Sequence, residues 1–317
     1  MATNQLGNGN LSKTLEIIGK ISEDYVGNPN FLDLITWNIR WFNDSDKDRV
    51  QRISDICTVL SADIFVFQEV RDKSLETVVE KLNEKSGEAF TVVYGTTGGD
   101  QRIAIMYNLN WVKAKDDITE LFGKKSILTA SGQDAFPRLP LWGYFKCRSN
   151  DPTNEGFTFQ LAGLHMKSQM GGGDIQRRMA AEKLAFWLER EASYLDSDVI
   201  LLGDWNESPS AKTWSVFHNL EKTGDVQFEK INDESDFSHL YYKNKNNIGS
   251  RLDIVALSSD AAKNINKFPK SLQWYSLSDL LKNNPMAKDI KAYIKNIKDK
   301  ISDHFPVYSR FYMVENH

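Results

Sequence analysis

The stretch "VILLGDWN" (199–206) decides how this chain is read. Val199, Ile200, Leu201 and Leu202 are four consecutive apolar residues with no polar alternation, the pattern of a strand covered on both faces. Directly after Gly203 come Asp204 and Asn206, two positions apart, so on extended backbone they point the same way. Carboxylates are rarely set against a buried apolar run unless they are paired or hold a metal. One segment thus announces both a doubly covered sheet and a polar site at its end.

Working outward, similar runs recur: "FLDLITWNI" (31–39), "DIFVFQEV" (63–70), "FTVVYG" (90–95), "RIAIMYN" (102–108) and "LPLWGYFKCR" (139–148). "FTFQLAGLHM" (157–166), "DVILLGDW" (198–205), "RLDIVALS" (251–258) and "FPVYSRFYM" (305–313) complete the set. Helical periodicity falls between them at 47–61, 72–85, 174–195, 209–219 and 286–300. In the segment 174–195, Ile175, Met179, Leu184, Trp187 and Leu188 are expected on one face. Some strands follow one another without a helix, which predicts antiparallel neighbours, so the sheets should be mixed. The expectation is an α/β (α+β) chain, two mixed sheets layered between helices. Residues 1–30 read as a polar tail plus a short helix from Ser12 to about Tyr25, and 31–317 as a single domain.

Composition narrows the function classes. At 317 residues, 41% hydrophobic and 26% charged, the chain can bury a sizeable core. Its net charge of -4 gives no global basic field, so an anionic substrate needs local cations or a metal. Cys57 and Cys147 have no metal-site spacing and are expected to be buried as small apolar residues. No apolar run is long enough for a membrane span, and the polar amino terminus lacks the pattern of a signal peptide. A cytoplasmic monomer is the expectation.

The strand ends carry the argument further. Asn38, Glu69, His165 and Asp204 each lie at or near the end of a separate apolar run. Asp253 lies within "RLDIV", and Asp303 and His304 open the last strand. Converging at one sheet edge, such groups would make an oxygen-lined site that suits Mg²⁺ or Mn²⁺.

"WNIRWF", "FQEVRDKSL", "GLHMK", "GDWN", "RLDIV" and "SDHFPV" occur here in one order. In that order they resemble the motifs of the endonuclease/exonuclease/phosphatase superfamily, whose type member is deoxyribonuclease I. The resemblance runs from about residue 31 to 312. It implies a four-layer α/β/β/α sandwich and a metal-dependent phosphodiesterase that uses an activated water.

On that resemblance Glu69 and Asn38 belong to the metal shell, with Asp303 a further metal or water ligand. His304 is the implied general base, with Asp253 accepting a hydrogen bond from its other nitrogen. His165 would contact the phosphate or leaving group, Asp204 would orient the water or metal, and Asn206 would donate to the phosphate. Taken alone, each has a plainer reading: a strand-end Asp is usually a turn former, and Asp253 near Arg251 could belong to a surface ion pair.

The substrate is implied more weakly. "NIGSRLDIV" lacks the Pro-x-Trp-Cys-Asp-Arg pattern of inositol phosphatases, and no long aromatic hairpin of the sphingomyelinase kind is evident, although "LQWYSL" (272–277) is apolar and aromatic. A low-specificity DNA endonuclease is favoured, with Arg40, Arg71 and Arg138 against the DNA backbone. The alternatives are a lipid or inositol-phosphate phosphodiesterase on the same frame and, for these arginines, ion pairs within the site wall. The loop "GTTGGDQR" (95–102) departs from deoxyribonuclease I. It places Gln101 where that enzyme has a glutamate for the first histidine, which would leave His165 without a carboxylate.

Two further features stand apart. In "AKDIKAYIKNIKDKI", Lys288, Lys291, Lys295 and Lys298 fall on one side of a helix and Ile290, Ile294, Ile297 and Ile301 on the other. The lysines make either a solvated face or a rail for a phosphate backbone. "MGGGDIQRR" (170–178) offers a loop with Arg177 and Arg178, either a phosphate-contacting lip or a plain turn capped by Asp174.

Overall fold

The computed structural model of the protein describes residues 8–149, 155–229, 236–244 and 247–314. In chain order the strands begin with β1 (Phe31–Phe42), β2 (Ile64–Val70), β3 (Phe90–Tyr94), β4 (Arg102–Asn108), β5 (Val112–Ala114), β6 (Thr119–Glu120) and β7 (Leu141–Cys147). There follow β8 (Thr158–His165), β9 (Val199–Asp204), β10 (Val226–Phe228), β11 (His239–Asn244), β12 (Asn247–Ser250), β13 (Asp253–Ser258), β14 (Ile265–Ser271) and β15 (Val307–Tyr312). The helices are α1 (Asn8–Ile18), α2 (Lys47–Leu60), α3 (Glu76–Ser86), α4 (Asp174–Arg190), α5 (Ser215–Thr223), α6 (Ser259–Lys263), α7 (Tyr275–Lys282) and α8 (Ala287–Lys300).

One sheet runs β14-β15-β1-β2-β4-β3 and the other β10-β13-β9-β8-β7-β5, with β6 beside β7. Each is mixed: β1 and β2 are parallel, β8 and β9 are parallel, and the remaining pairings of these sheets are antiparallel.

The continuous apolar runs are explained by the two-residue period of a strand. In β1, Leu32 and Leu34 face the other sheet, while Ile35, Trp37 and Ile39 face helices. In β9, Ile200 and Leu202 join the inter-sheet core, while Val199 and Leu201 meet α4 and α5. The result is the four-layer α/β/β/α sandwich, with α1, α2, α3, α7 and α8 contributing to the core outside the first sheet and α4 and α5 outside the second.

Gly203 makes one close approach possible. It pairs with Leu164 in the parallel β8–β9 register, and a Cβ there would lie 2.0 Å from the Leu164 carbonyl oxygen. No residue with a side chain fits without moving a central strand.

Several boundaries differ from the sequence reading. The first helix spans Asn8–Ile18, not Ser12 to Tyr25, because Gly19 adopts a left-handed φ of 73° and closes it with a bond to the Leu15 carbonyl. In α4 the buried face is formed by Gln176, Arg177, Ala180, Ala181, Leu184, Trp187 and Leu188, and Ile175 is turned to solvent. The cap of α4 is Gly173, with Asp174 its first helical residue, and Arg177 is held by Glu207 and the Lys167 carbonyl. That residue braces two loops and is not an open lip. In "LQWYSL", Leu272 and Trp274 are buried and Tyr275 starts α7, so the stretch forms no aromatic hairpin.

Both cysteines are buried, on α2 and β7. No helix among the described residues is long and apolar enough to cross a membrane.

Candidate active site

Strand direction gathers the polar residues at one edge. Asn38 and Glu69 lie toward the carboxyl ends of the parallel pair β1 and β2, and His165 and Asp204 end the parallel pair β8 and β9. Asp253 starts β13, which runs antiparallel to β9 and puts Asp253 opposite Asp204. His304 precedes β15, antiparallel to β1, and therefore reaches the same edge. The chain turns sharply there: Arg40, Trp41, Glu69 and Asn206 all have positive φ, between 40° and 60°. Left-handed backbone at bulky residues costs on the order of 1–3 kcal/mol each and persists where surrounding structure enforces it, commonly at functional sites.

His304 and Asp253 form a tight pair. His304 Nδ1 lies 2.8 Å from Asp253 Oδ2, while Nε2 faces Asp204 Oδ2 at 4.0 Å. The frame is fixed by its own bonds: the Trp37 indole N–H donates to the His304 carbonyl at 2.9 Å, and the Ser302 hydroxyl donates to the Asn38 carbonyl at 2.7 Å. The Ser238 hydroxyl accepts from the Asp253 amide at 3.0 Å. Burial alone would lower the His304 pKa, but Asp253, then Asp204 and Asp303, outweigh it and push it up to about 10. Without a metal, His304 is therefore an imidazolium at neutral pH. Arg251, two residues before Asp253, is buried against Glu229 and Asp236, so the surface ion pair considered for Asp253 does not form.

Glu69 and Asp204 make the second half of the site. The Asn38 amide donates to Glu69 Oε1 at 3.2 Å and to Asp204 Oδ2 at 3.0 Å, tying the two carboxylates together. His165 Nε2 stands 3.8 Å from each of the same two oxygens. The other Glu69 oxygen accepts from the Trp41 amide at 3.1 Å, and the other Asp204 oxygen from the Asn206 amide at 2.8 Å. Burial raises Asp204 to about 7, and burial lowers His165 so that it is neutral.

Neither carboxylate has a lysine or arginine within 4.0 Å among the described residues. Two hard oxygen donors, buried or nearly so and without a lysine or arginine partner, could hold a divalent cation. Asp204, Asp253 and His304 also offer ligand atoms within 4.8 Å of one another. Because His304 Nδ1 and Asp253 Oδ2 are already engaged with each other, Glu69 and Asp204 are the freer pair.

The two other residues expected in the metal shell have protein partners of their own. Asn38 turns its amide nitrogen to the two carboxylates while its oxygen accepts from the Arg40 amide at 2.9 Å, so it ties the carboxylates to the β1 turn. Asp303 already has two cations, Lys298 Nζ at 2.7 Å and Arg40 Nε at 3.7 Å, with the His239 ring nitrogen Nε2 at 4.0 Å.

Asn206 spends its side-chain amide on the Met166 carbonyl at 3.1 Å. Arg71 is exposed and paired with Asp100 at 3.5 Å. Arg138 is bonded to the Gln101 side chain, and its charge acts on Glu69, Asp204 and His165. His165 has no carboxylate behind it, as the loop sequence implied: its Nδ1 is buried without a hydrogen-bond partner among the described residues.

Sequence reasoning overlooked Trp41 and His239, and placed Lys298 in the lysine row without pairing it to Asp303. The His239 ring centroid lies 4.7 Å from that of His304, and burial followed by the His304 charge lowers its pKa to about 4. A lone histidine in the polar stretch "SHLYYKN" gave no periodic signal, though it is one of only five in the chain.

A model of the Endonuclease/Exonuclease/phosphatase family matches residues 35–219, more than half of the chain. The protein belongs to that family. Its members are hydrolases acting on phosphoesters and in general use a divalent metal. An endonuclease/exonuclease/phosphatase from Bacteroides vulgatus has a TM-score of 0.55 at 13% identity, covering 89% of this chain and 99% of its own. The human Nocturnin catalytic domain, solved with a bound sulfate anion, gives 0.54 at 14%, covering 90% and 96%. The Bacteroides thetaiotaomicron mannosyl-6-phosphatase Bt3783 gives 0.50 at 18%, covering 88% and 98%. At these identities the likeness is one of fold. No curated protein matches the sequence.

Proposed function

We propose that this family member is a metal-dependent phosphodiesterase that cleaves DNA endonucleolytically with little sequence preference. The observation that carries the reading is the His304–Asp253 pair at 2.8 Å, with Nε2 of His304 turned to the carboxylate-lined edge. A neutral imidazole held in that tautomer takes a proton from water while Asp253 steadies the charge that develops. The water oxygen forms the new bond to phosphorus, the opposite P–O bond breaks, and the leaving oxygen departs with the electron pair.

When bound by Glu69 and Asp204, a divalent cation would neutralise phosphate charge and offset the field that keeps His304 protonated. His165 and Arg138 bring hydrogen bonding and positive charge to the same edge, and Asn38 keeps the two carboxylates in register. Support for a nucleic-acid substrate is the strand-end arginine Arg40, half-buried beside Asp303. Arg71 is tied to Asp100 and serves the wall of the site first.

The test is a substrate panel with Mg²⁺ and Mn²⁺. Supercoiled plasmid should be nicked, while inositol phosphates, sugar phosphates and sphingomyelin stay intact. Intact plasmid together with hydrolysis of one of the other esters would move the protein to the lipid or small-molecule branch.

A further inference from the structure

Helix α8 lies outside every contact the chemistry needs, yet it is built onto the rim of the site. Its apolar side is spent on the protein: Ile290, Ile297 and Ile301 are buried in the core outside the first sheet, with Ile294 packed against it. The opposite side carries Lys288, Lys291 and Lys295, all exposed. None of the three pairs with a carboxylate within 4.0 Å among the described residues, and Lys291 lies over the Tyr242 ring at 5.2 Å. From Lys288 to Lys295 the row runs toward Lys298, which is bonded to Asp303 beside His304.

The end of α8 is stapled to a second unusual feature. The Arg49 guanidinium donates to the carbonyls of Ile301, Ile39 and Arg40, and Arg40 in turn reaches the Lys298 carbonyl at 3.4 Å. Next in the chain is Trp41, with φ of 48° and 56% of its surface exposed. Its backbone amide donates to Glu69 Oε2 at 3.1 Å, which anchors the Trp41 backbone beside that carboxylate. A large apolar ring held at the surface on left-handed backbone is costly to keep, and a stacking partner is the chemistry that suits it.

We infer that Lys288, Lys291 and Lys295 together with Trp41 form a track for an extended nucleic-acid strand entering the site, the lysines holding phosphates and the indole stacking a base. The inference rests on the phosphodiesterase reading above and extends it to the path of the substrate. The row from Lys288 to Lys298 covers about 15 Å of helix, so it spans more than one phosphate of an extended strand and outreaches a single sugar phosphate. A membrane surface fits less well, since the apolar side of α8 is already buried and cannot enter a bilayer.

The experiment uses the full chain and two readouts. Fluorescence anisotropy with a labelled single-stranded oligonucleotide in EDTA measures binding without cleavage. Turnover of bis(p-nitrophenyl) phosphate with Mn²⁺ measures the chemistry on a substrate too short for the track. The triple variant Lys288→Ala, Lys291→Ala, Lys295→Ala should weaken oligonucleotide binding roughly tenfold at low salt and flatten the log–log salt slope by about 2. It should hydrolyse the small diester at the wild-type rate, because no catalytic contact is touched and alanine keeps the helix.

Trp41→Ala should weaken the same binding about tenfold, with Trp41→Phe retaining most of it. Unchanged oligonucleotide affinity and salt slope in the triple variant would overturn the track even if the small diester is cleaved. So would a loss seen only in co-sedimentation with phosphatidylserine vesicles, run as a control beside the two readouts. Absence of diester turnover in the wild type would instead overturn the phosphodiesterase reading, while the anisotropy still decides the track.

Discussion

Replacing Asp253 by Asn should lower phosphoester hydrolysis by about a thousandfold to ten-thousandfold while the protein stays folded. Asn keeps the size of the side chain but offers His304 an amide where the imidazole needs a carboxylate, favouring the wrong tautomer and removing the charge that steadies the imidazolium. The pH behaviour should change with it. The folded pKa of His304 is about 10, above its ordinary 6.5, because of Asp253, Asp204 and Asp303 against the opposing effect of burial.

In metal-free protein, the raised His304 pKa makes a contribution to stability that is complete below about pH 6.5 and disappears as pH rises through about 10. Asp253→Asn removes the largest source of that contribution, so urea midpoints taken from pH 6 to pH 10 should fall less steeply in the variant than in the wild type. Equal turnover in variant and wild type would show that His304 does not act through Asp253.

Glu69→Gln should cost about a hundredfold or more in turnover and weaken Mn²⁺ binding measured by calorimetry, with partial recovery at high metal concentration. The variant loses one of two carboxylates that have no lysine or arginine partner among the described residues, and Gln can keep the bond to the Trp41 amide. Asp303→Asn is the informative contrast: its carboxylate is taken up by Lys298 at 2.7 Å, so metal affinity should be nearly unchanged. A larger loss of Mn²⁺ affinity in Asp303→Asn than in Glu69→Gln would move the metal to the other side of the site.

Much of the frame could be read from the chain because the strands are long, apolar and ended by polar residues. "VILLGDWN" became β9 with both faces covered, and Asn38, Glu69, His165, Asp204, Asp253 and His304 came to one edge. What escaped was decided by contacts distant in sequence. The β11–β12 hairpin is polar and short, so its pattern reads as a loop, although it carries His239 to within stacking distance of His304. β14 contains a proline and lies at the edge of its sheet, the position where a missing N–H is tolerated, which hides it from a strand pattern.

The partners of Asp303 were equally hidden. Lys298 on α8 reaches Asp303 across the helix end, where the sequence suggested a solvated stripe or a phosphate rail and no partner within the protein. Asn38 was legible as a site residue, but its role turned on which end of the amide faces Glu69 and Asp204, and no spacing rule fixes that.

The most direct measurement is plasmid nicking by the wild type and by His304→Ala, each with Mg²⁺ and with excess chelator. The account predicts nicking by the wild type with metal, loss on chelation and return on adding Mn²⁺, and a deficit of at least about a thousandfold in His304→Ala. Equal nicking by the two proteins, or nicking that survives chelation, would contradict it.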